Sequence, residues 1–144
     1  MKNSGVVIYV EEDEDDIDIM TRVFKDIETQ HELINFRKLE SVFEYLQSNI
    51  EKPFLIICDS NHFNNNNNKL GKLTRSYPEF RKKSIPFVFF SADTSKALVK
   101  EAYTELNVQG FFQKGTSYDK IKEDIQAIIE YWERSVIPVY DVER

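Results

Sequence analysis

Residues 53 to 59, "PFLIICD", are the stretch that decides the fold. Five consecutive apolar side chains, from Phe54 to Cys58, follow a proline and end directly at Asp59. A short apolar run without polar alternation is typical of a strand buried on both faces, as in parallel sheets that helices cover on each side. The stretch therefore predicts a central strand of an α/β fold with a carboxylate at its C-terminal end.

Similar runs lie before and after this stretch, and they predict four more strands at residues 6–10, 32–37, 85–92 and 108–114. Apolar residues at helical spacing separate the runs and predict five helices, whose apolar faces begin at Ile17, Val42, Leu70, Val99 and Ile121. Ser41 with Glu44, and Thr116 with Asp119, have the spacing of capping boxes. Strands that alternate with helices imply a doubly wound parallel sheet. We expect the first and fifth helices on one face and the other three on the opposite face.

Length and charge narrow the class of protein. The 144 residues predict one domain, residues 1–133, with a C-terminal tail at 134–144. The formal net charge of −6 argues against nucleic acid as the main partner. No apolar run approaches the roughly 20 residues that a membrane span needs. The single cysteine, Cys58, excludes an intrachain disulfide and favours the cytoplasm.

Polar residues directly follow four of the predicted strands: Glu11 and Glu12, Asp59, Ser91, and Lys114. The carboxyl ends of parallel strands collect at one edge of the sheet, so we expect these side chains to lie together. Carboxylates this close do not all stay ionised without a cation. Hard oxygen ligands suit Mg²⁺, and a lysine at the same edge can hold an anion.

Other polar residues receive a plainer interpretation. Asp15, Asp16 and Asp18 are predicted to be solvated acids at a helix start, where the helix dipole favours negative charge. Cys58 is predicted to be a small buried hydrophobe rather than a nucleophile. His31 has no partner pattern and receives no role.

The order of these residues, an acid pair, then Asp, Ser and Lys at successive strand ends, resembles the receiver domain of two-component response regulators. The resemblance runs from about residue 6 to residue 132. It implies a flavodoxin-like five-stranded parallel sheet with strand order 2-1-3-4-5. It also implies a role for each site residue: Asp59 as phosphoacceptor, Glu11, Glu12, Asp59 and the backbone carbonyl of Asn61 as Mg²⁺ ligands, Lys114 as partner of the phosphoryl group, and Ser91 and Phe111 as switch residues.

The resemblance implies a stand-alone receiver that a histidine kinase or phosphotransfer protein phosphorylates on Asp59, with weakly bound Mg²⁺, and that acts on a downstream protein. Such a receiver catalyses only its own phosphorylation and dephosphorylation. Four residues depart from the family pattern: Glu12 replaces Asp, Asn67 replaces Gly, Phe111 replaces the commoner Tyr, and Gly115 replaces Pro. A cis bond before a non-proline residue costs about 3 kcal/mol, so we expect a trans bond before Gly115 if this loop is ordered.

Two alternatives stay open. The first is a degenerate receiver that binds a partner without being phosphorylated. The second is a Mg²⁺-dependent phosphatase built on the segment from Asp59 to Asn61.

Overall fold

The computed structural model describes residues 5–48, 52–60, 85–104, 106 and 108–137. Its elements, in chain order, are β1 Val7–Val10, α1 Glu14–Asp26, β2 Leu33–Phe36, α2 Leu39–Ser48, β3 Leu55–Cys58, β4 Phe87–Ser91, α3 Lys96–Thr104, β5 Gly110–Gln113 and α4 Tyr118–Arg134. Three features of the sequence prediction, the helix beginning at Leu70, the asparagine run with Asn67, and Asn61, lie outside the described residues.

The five strands form one parallel sheet in the order β2-β1-β3-β4-β5. The predicted strand order is confirmed, and the strand of "PFLIICD" is central. Every strand is shorter than the apolar run that predicted it, because the ends of each run lead into the loops. The register pairs Val10 with Cys58, which sets the residues that follow β1 and β3 side by side.

Both faces of the sheet are covered, as the uninterrupted apolar runs require. Ile8, Val10, Ile56 and Cys58 pack with α2 and α3 in one core layer. The alternating residues, among them Val7, Tyr9, Leu55 and Ile57, pack with α1 and α4 in the other. The predicted distribution of helices is confirmed for the four described ones. Cys58 is fully buried, and this burial raises the pKa of its thiol.

Two helix starts differ from the sequence prediction. The cap of α4 is Ser117, whose hydroxyl accepts the Lys120 N–H at 3.1 Å, one residue after the predicted Thr116. The capping box at Ser41 is wrong, because α2 already begins at Leu39. Leu39 is buried in the core, so its packing starts the helix earlier than the local signal does.

His31 joins three segments that are distant in sequence. Its Nδ1 lies 2.7 Å from the carbonyl oxygen of Gly5, and its Nε2 lies 2.9 Å from Oε2 of Glu133 at the end of α4. The ring stacks on Phe54 with centroids 4.0 Å apart. The imidazole therefore connects the N-terminal ends of β1, β2 and β3 to the last helix.

We expect His31→Ala to lower the free energy of unfolding by about 2 to 4 kcal/mol, because it removes a buried ring and two polar contacts. Chemical denaturation measures this loss. His31→Phe is the matched control: it keeps the stack on Phe54 but neither polar contact, and its loss should be smaller. An alanine variant as stable as the wild type would contradict the expectation.

Candidate functional site

The candidate site lies at the C-terminal edge of the sheet. Glu11 directly follows β1, Asp59 follows β3, Ser91 ends β4, and Lys114 follows β5. The backbone N–H of Lys114 donates to the carbonyl of Ser91 at 2.8 Å, which continues the β4–β5 pairing into the site. The parallel sheet thus gathers these four side chains, as the strand-end pattern predicts.

Three carboxylates meet at this edge. Glu11, Asp16 and Asp59 each present one oxygen, and the three oxygens lie within 4.8 Å of one another. Sequence reasoning missed Asp16, which it assigned to the solvated helix start. Asp13 caps α1 by accepting the Asp16 N–H at 3.0 Å, and this cap sets the first turn over the end of β1. No spacing rule in the sequence shows that orientation.

Glu12, the second member of the predicted acid pair, lies outside this cluster and is exposed. Its N–H donates to Oε2 of Glu11 at 3.1 Å, and the N–H of Asp13 donates to the same oxygen at 3.0 Å. The backbone after β1 therefore wraps around the Glu11 carboxylate. Of the two glutamates, the structure brings only Glu11 to Asp59.

Lys114 lies among the three carboxylates. Its Nζ is 3.3 Å from Asp16 Oδ2, 3.4 Å from Asp59 Oδ2 and 3.8 Å from Glu11 Oε1, and its side chain is only 12% exposed. At 3.4 Å and an effective dielectric constant of about 20, one such pair is worth roughly 5 kcal/mol before desolvation. Three carboxylates and one ammonium still leave net negative charge when all are ionised.

Burial and the neighbouring carboxylate both act on Glu11. Burial raises the pKa of its carboxyl from 4.5 to about 7; repulsion from Asp59 adds to the rise, while the Asp13 N–H and the Lys114 ammonium oppose it. A carboxyl with a raised folded-state pKa favours folding in its protonated form. That contribution is complete below pH 4.5 and is lost as the pH rises through about 7.

The cluster fits a small divalent cation in donor type and charge. Mg²⁺ prefers hard oxygen ligands at about 2.1 Å, so its ligand oxygens lie about 3 to 4 Å apart. The oxygens of Glu11, Asp16 and Asp59, within 4.8 Å of one another, need only a small closure to reach that spacing. The Lys114 ammonium already lies between these oxygens, so a metal ion has to compete with it. We therefore expect weak binding.

Asp16→Asn should weaken Mg²⁺ binding at least about tenfold, which is 1.4 kcal/mol, because it removes one clustered carboxylate charge. Glu12→Gln is the matched control: it removes the same charge from an exposed neighbour and should change the affinity less than about twofold. Calorimetric or NMR titration with Mg²⁺ measures both. A larger loss in Glu12→Gln than in Asp16→Asn would make Glu12 the ligand, as the resemblance implies.

Ser91 and Phe111 are the two other predicted site residues in the described part of the chain. Ser91 is buried, with its hydroxyl bonded to Ser60 and Asp93. Phe111 is partly buried and packs edge-on against Phe89, with centroids 5.5 Å apart. No cis peptide bond occurs among the described residues, so the bond before Gly115 is trans, as expected.

No family model matches the sequence, and a search of curated proteins finds no match either. Solved structures do match. A response regulator in red light signaling of R. palustris has a TM-score of 0.80 at 19% identity, over 94% of this chain and 99% of that one. The phosphorylated cyanobacterial phytochrome response regulator RcpA has a TM-score of 0.73 at 20% identity, over 94% and 98%. The Mn²⁺-bound form of response regulator Rcp1 has a TM-score of 0.72 at 24% identity, over 92% and 97%.

These neighbours share the strand order and nearly the whole length of this chain, while their identities stay below 25%. Within the described part of the chain, no helix has the length and apolar character to cross a membrane. The likeness in structure, at low identity, is evidence about the fold. This chain has the fold of response regulator receiver domains.

Proposed function

We propose that this chain is a receiver domain that becomes phosphorylated on Asp59. The observation that supports the proposal most is the position of Asp59: it is buried at the C-terminal edge of the central strand, 3.4 Å from the Lys114 ammonium and clustered with two further carboxylates. A neighbour of the same fold is a phosphorylated response regulator.

The chemistry follows from these groups. A carboxylate oxygen of Asp59 attacks the phosphorus of a phosphodonor in line with the bond that breaks, and the electron pair of that bond leaves with the donor. The product is an acyl phosphate. Mg²⁺ bound at the cluster would neutralise part of the negative charge on the phosphoryl oxygens. Lys114 supplies a positive charge that can pair with the transferred group once Asp59 no longer carries its own.

The proposed donor is a histidine kinase or a phosphotransfer protein in the cytoplasm, and the proposed acceptor of the signal is a downstream protein rather than nucleic acid or membrane. The sequence suggests a partner face that contains Tyr103, Phe111, Tyr118 and Trp132, on α3, β5 and α4. In the structure Tyr103 is exposed and Phe111 is partly buried, whereas Tyr118 and Trp132 pack against the core. Exposed aromatic residues are common at protein interfaces, so we propose that the partner surface contains Tyr103.

Intact-mass analysis tests the proposal. After incubation with a small phosphodonor and Mg²⁺, the wild-type chain should gain one phosphoryl group, and base should remove it. An unchanged mass, under conditions that phosphorylate an ordinary receiver, would instead support the degenerate receiver. One observation favours that second candidate: Glu12, a metal ligand by resemblance, lies outside the acidic cluster. Turnover of a chromogenic phosphate ester would support the phosphatase.

A further inference from the structure

The hydroxyl of Ser91 is paired with the hydroxyl of the residue that follows Asp59. Ser60 is 0% exposed and Ser91 is 2% exposed, and their Oγ atoms lie 2.5 Å apart. Ser91 Oγ also accepts the N–H of Asp93 at 3.0 Å and lies 3.2 Å from the carbonyl oxygen of Asp93, to which it can donate. Three polar groups therefore surround one buried oxygen.

These contacts use the whole capacity of the Ser91 hydroxyl, which has one proton and two lone pairs. The Asp93 N–H takes one lone pair. If the Ser91 proton goes to the Asp93 carbonyl, the Ser60 hydroxyl donates into the second lone pair. If Ser91 instead donates its proton to the Ser60 oxygen, that proton is likewise used in a hydrogen bond. In both arrangements Ser91 has to break an existing bond before it donates to any new acceptor.

We propose that Ser60 is a positioning residue that holds Ser91 in its resting arrangement and opposes its turn toward a phosphoryl group on Asp59. This inference rests on the proposed function. If Ser91 turned away, the Ser60 hydroxyl would lose its Ser91 partner at a position closed to water, and an unpaired buried hydroxyl is costly. Ser60 directly follows Asp59 in the chain, so the hydroxyl that opposes the turn of Ser91 belongs to the residue next to the proposed phosphoacceptor.

A double-mutant cycle tests the proposal with beryllofluoride as the phosphoryl analogue, in the presence of Mg²⁺. Ser60→Ala should bind the analogue about tenfold more tightly than the wild type, because Ser91 then has one contact fewer to break when it turns toward the anion. In a Ser91→Ala background the same substitution should change the affinity less than twofold. If Ser60→Ala only loosened the loop, it would change the affinity for the analogue both with Ser91 and with Ala at position 91. Ser60→Cys keeps a weak donor and should give an intermediate affinity.

A second measurement is independent of phosphorylation. In the protein without metal or analogue, three-bond NMR couplings report the χ1 rotamer of Ser91. The wild type should show one rotamer and Ser60→Ala an average of several. Three results would each overturn the role of Ser60. The first is an equal affinity of the wild type and Ser60→Ala for beryllofluoride, and the second is an equal effect of Ser60→Ala with Ser91 or Ala at position 91. The third is an unchanged Ser91 rotamer in Ser60→Ala. A wild type that does not bind beryllofluoride, but whose Ser91 is released by Ser60→Ala, would refute the proposed function and leave the hydroxyl pair established.

Discussion

Asp59→Asn should abolish the phosphorylation that we expect a small phosphodonor and Mg²⁺ to produce in the wild type. The amide has nearly the same shape as the carboxylate but is a far weaker nucleophile. The neighbouring carboxylate of Glu11 does not replace it, because two backbone N–H groups hold its Oε2 and the Tyr9 hydroxyl lies 3.4 Å from its Oε1. Intact mass should therefore show no addition, and the wild type measured in parallel should show one.

Asp16→Asn is the matched control for this experiment. It removes a carboxylate from the same cluster but leaves the proposed phosphoacceptor in place. We expect it to slow phosphorylation through weaker Mg²⁺ binding while the adduct still forms on Asp59. Peptide mapping that places a phosphoryl group on Glu11 or Asp16 in the Asp59→Asn protein would contradict the assignment of Asp59.

Lys114→Ala should lower the free energy of unfolding of the metal-free protein by about 3 kcal/mol. The ammonium lies within 3.8 Å of three carboxylates, two of them buried, and removing the positive charge from a buried charge cluster is strongly destabilising. Mg²⁺ should restore part of the loss, because it supplies positive charge at the same place. Phosphorylation should persist in this variant, but it should no longer produce the conformational change that follows it in the wild type.

Chemical denaturation with a chelator and then with Mg²⁺ measures the effect. Lys120→Ala is the matched control: Lys120 also pairs with a carboxylate, Asp124 at 2.7 Å, but its side chain is 57% exposed, and exposed pairs contribute little. A Lys114→Ala protein as stable as Lys120→Ala would contradict the electrostatic argument. So would a loss that is the same with and without Mg²⁺.

The strands illustrate what local pattern is able to predict. The run from Phe54 to Cys58 is apolar without alternation, and a strand covered on both faces buries such a run completely. The structure places it in the centre of the sheet, with both faces packed. Because each strand end is visible in the sequence, Glu11, Asp59, Ser91 and Lys114 were predicted to lie at one edge, and they do.

The acids after β1 illustrate the opposite case. Six carboxylates follow one another from Glu11 to Asp16, and composition alone does not distinguish those that face the site. Asp16 reaches the cluster because Asp13 caps α1 and orients its first turn, while Glu12, adjacent to Glu11, is left exposed. A metal ligand predicted from its place in the run is therefore less secure than one that directly ends a strand.

The sequence by itself determined the α/β class, the strand order through the family resemblance, and the residue types at the strand ends. The class and the strand ends depend on apolar periodicity and on chain order, which are local properties, whereas the strand order was implied by the resemblance alone. Only the tertiary structure decided that Asp16 joins Glu11 and Asp59, that the Ser60 hydroxyl lies against the Ser91 hydroxyl, and that His31 reaches Glu133. Each of these contacts joins different segments of the chain. Its geometry depends on how a helix turn or loop is oriented against the sheet, and the sequence of one segment does not determine that orientation.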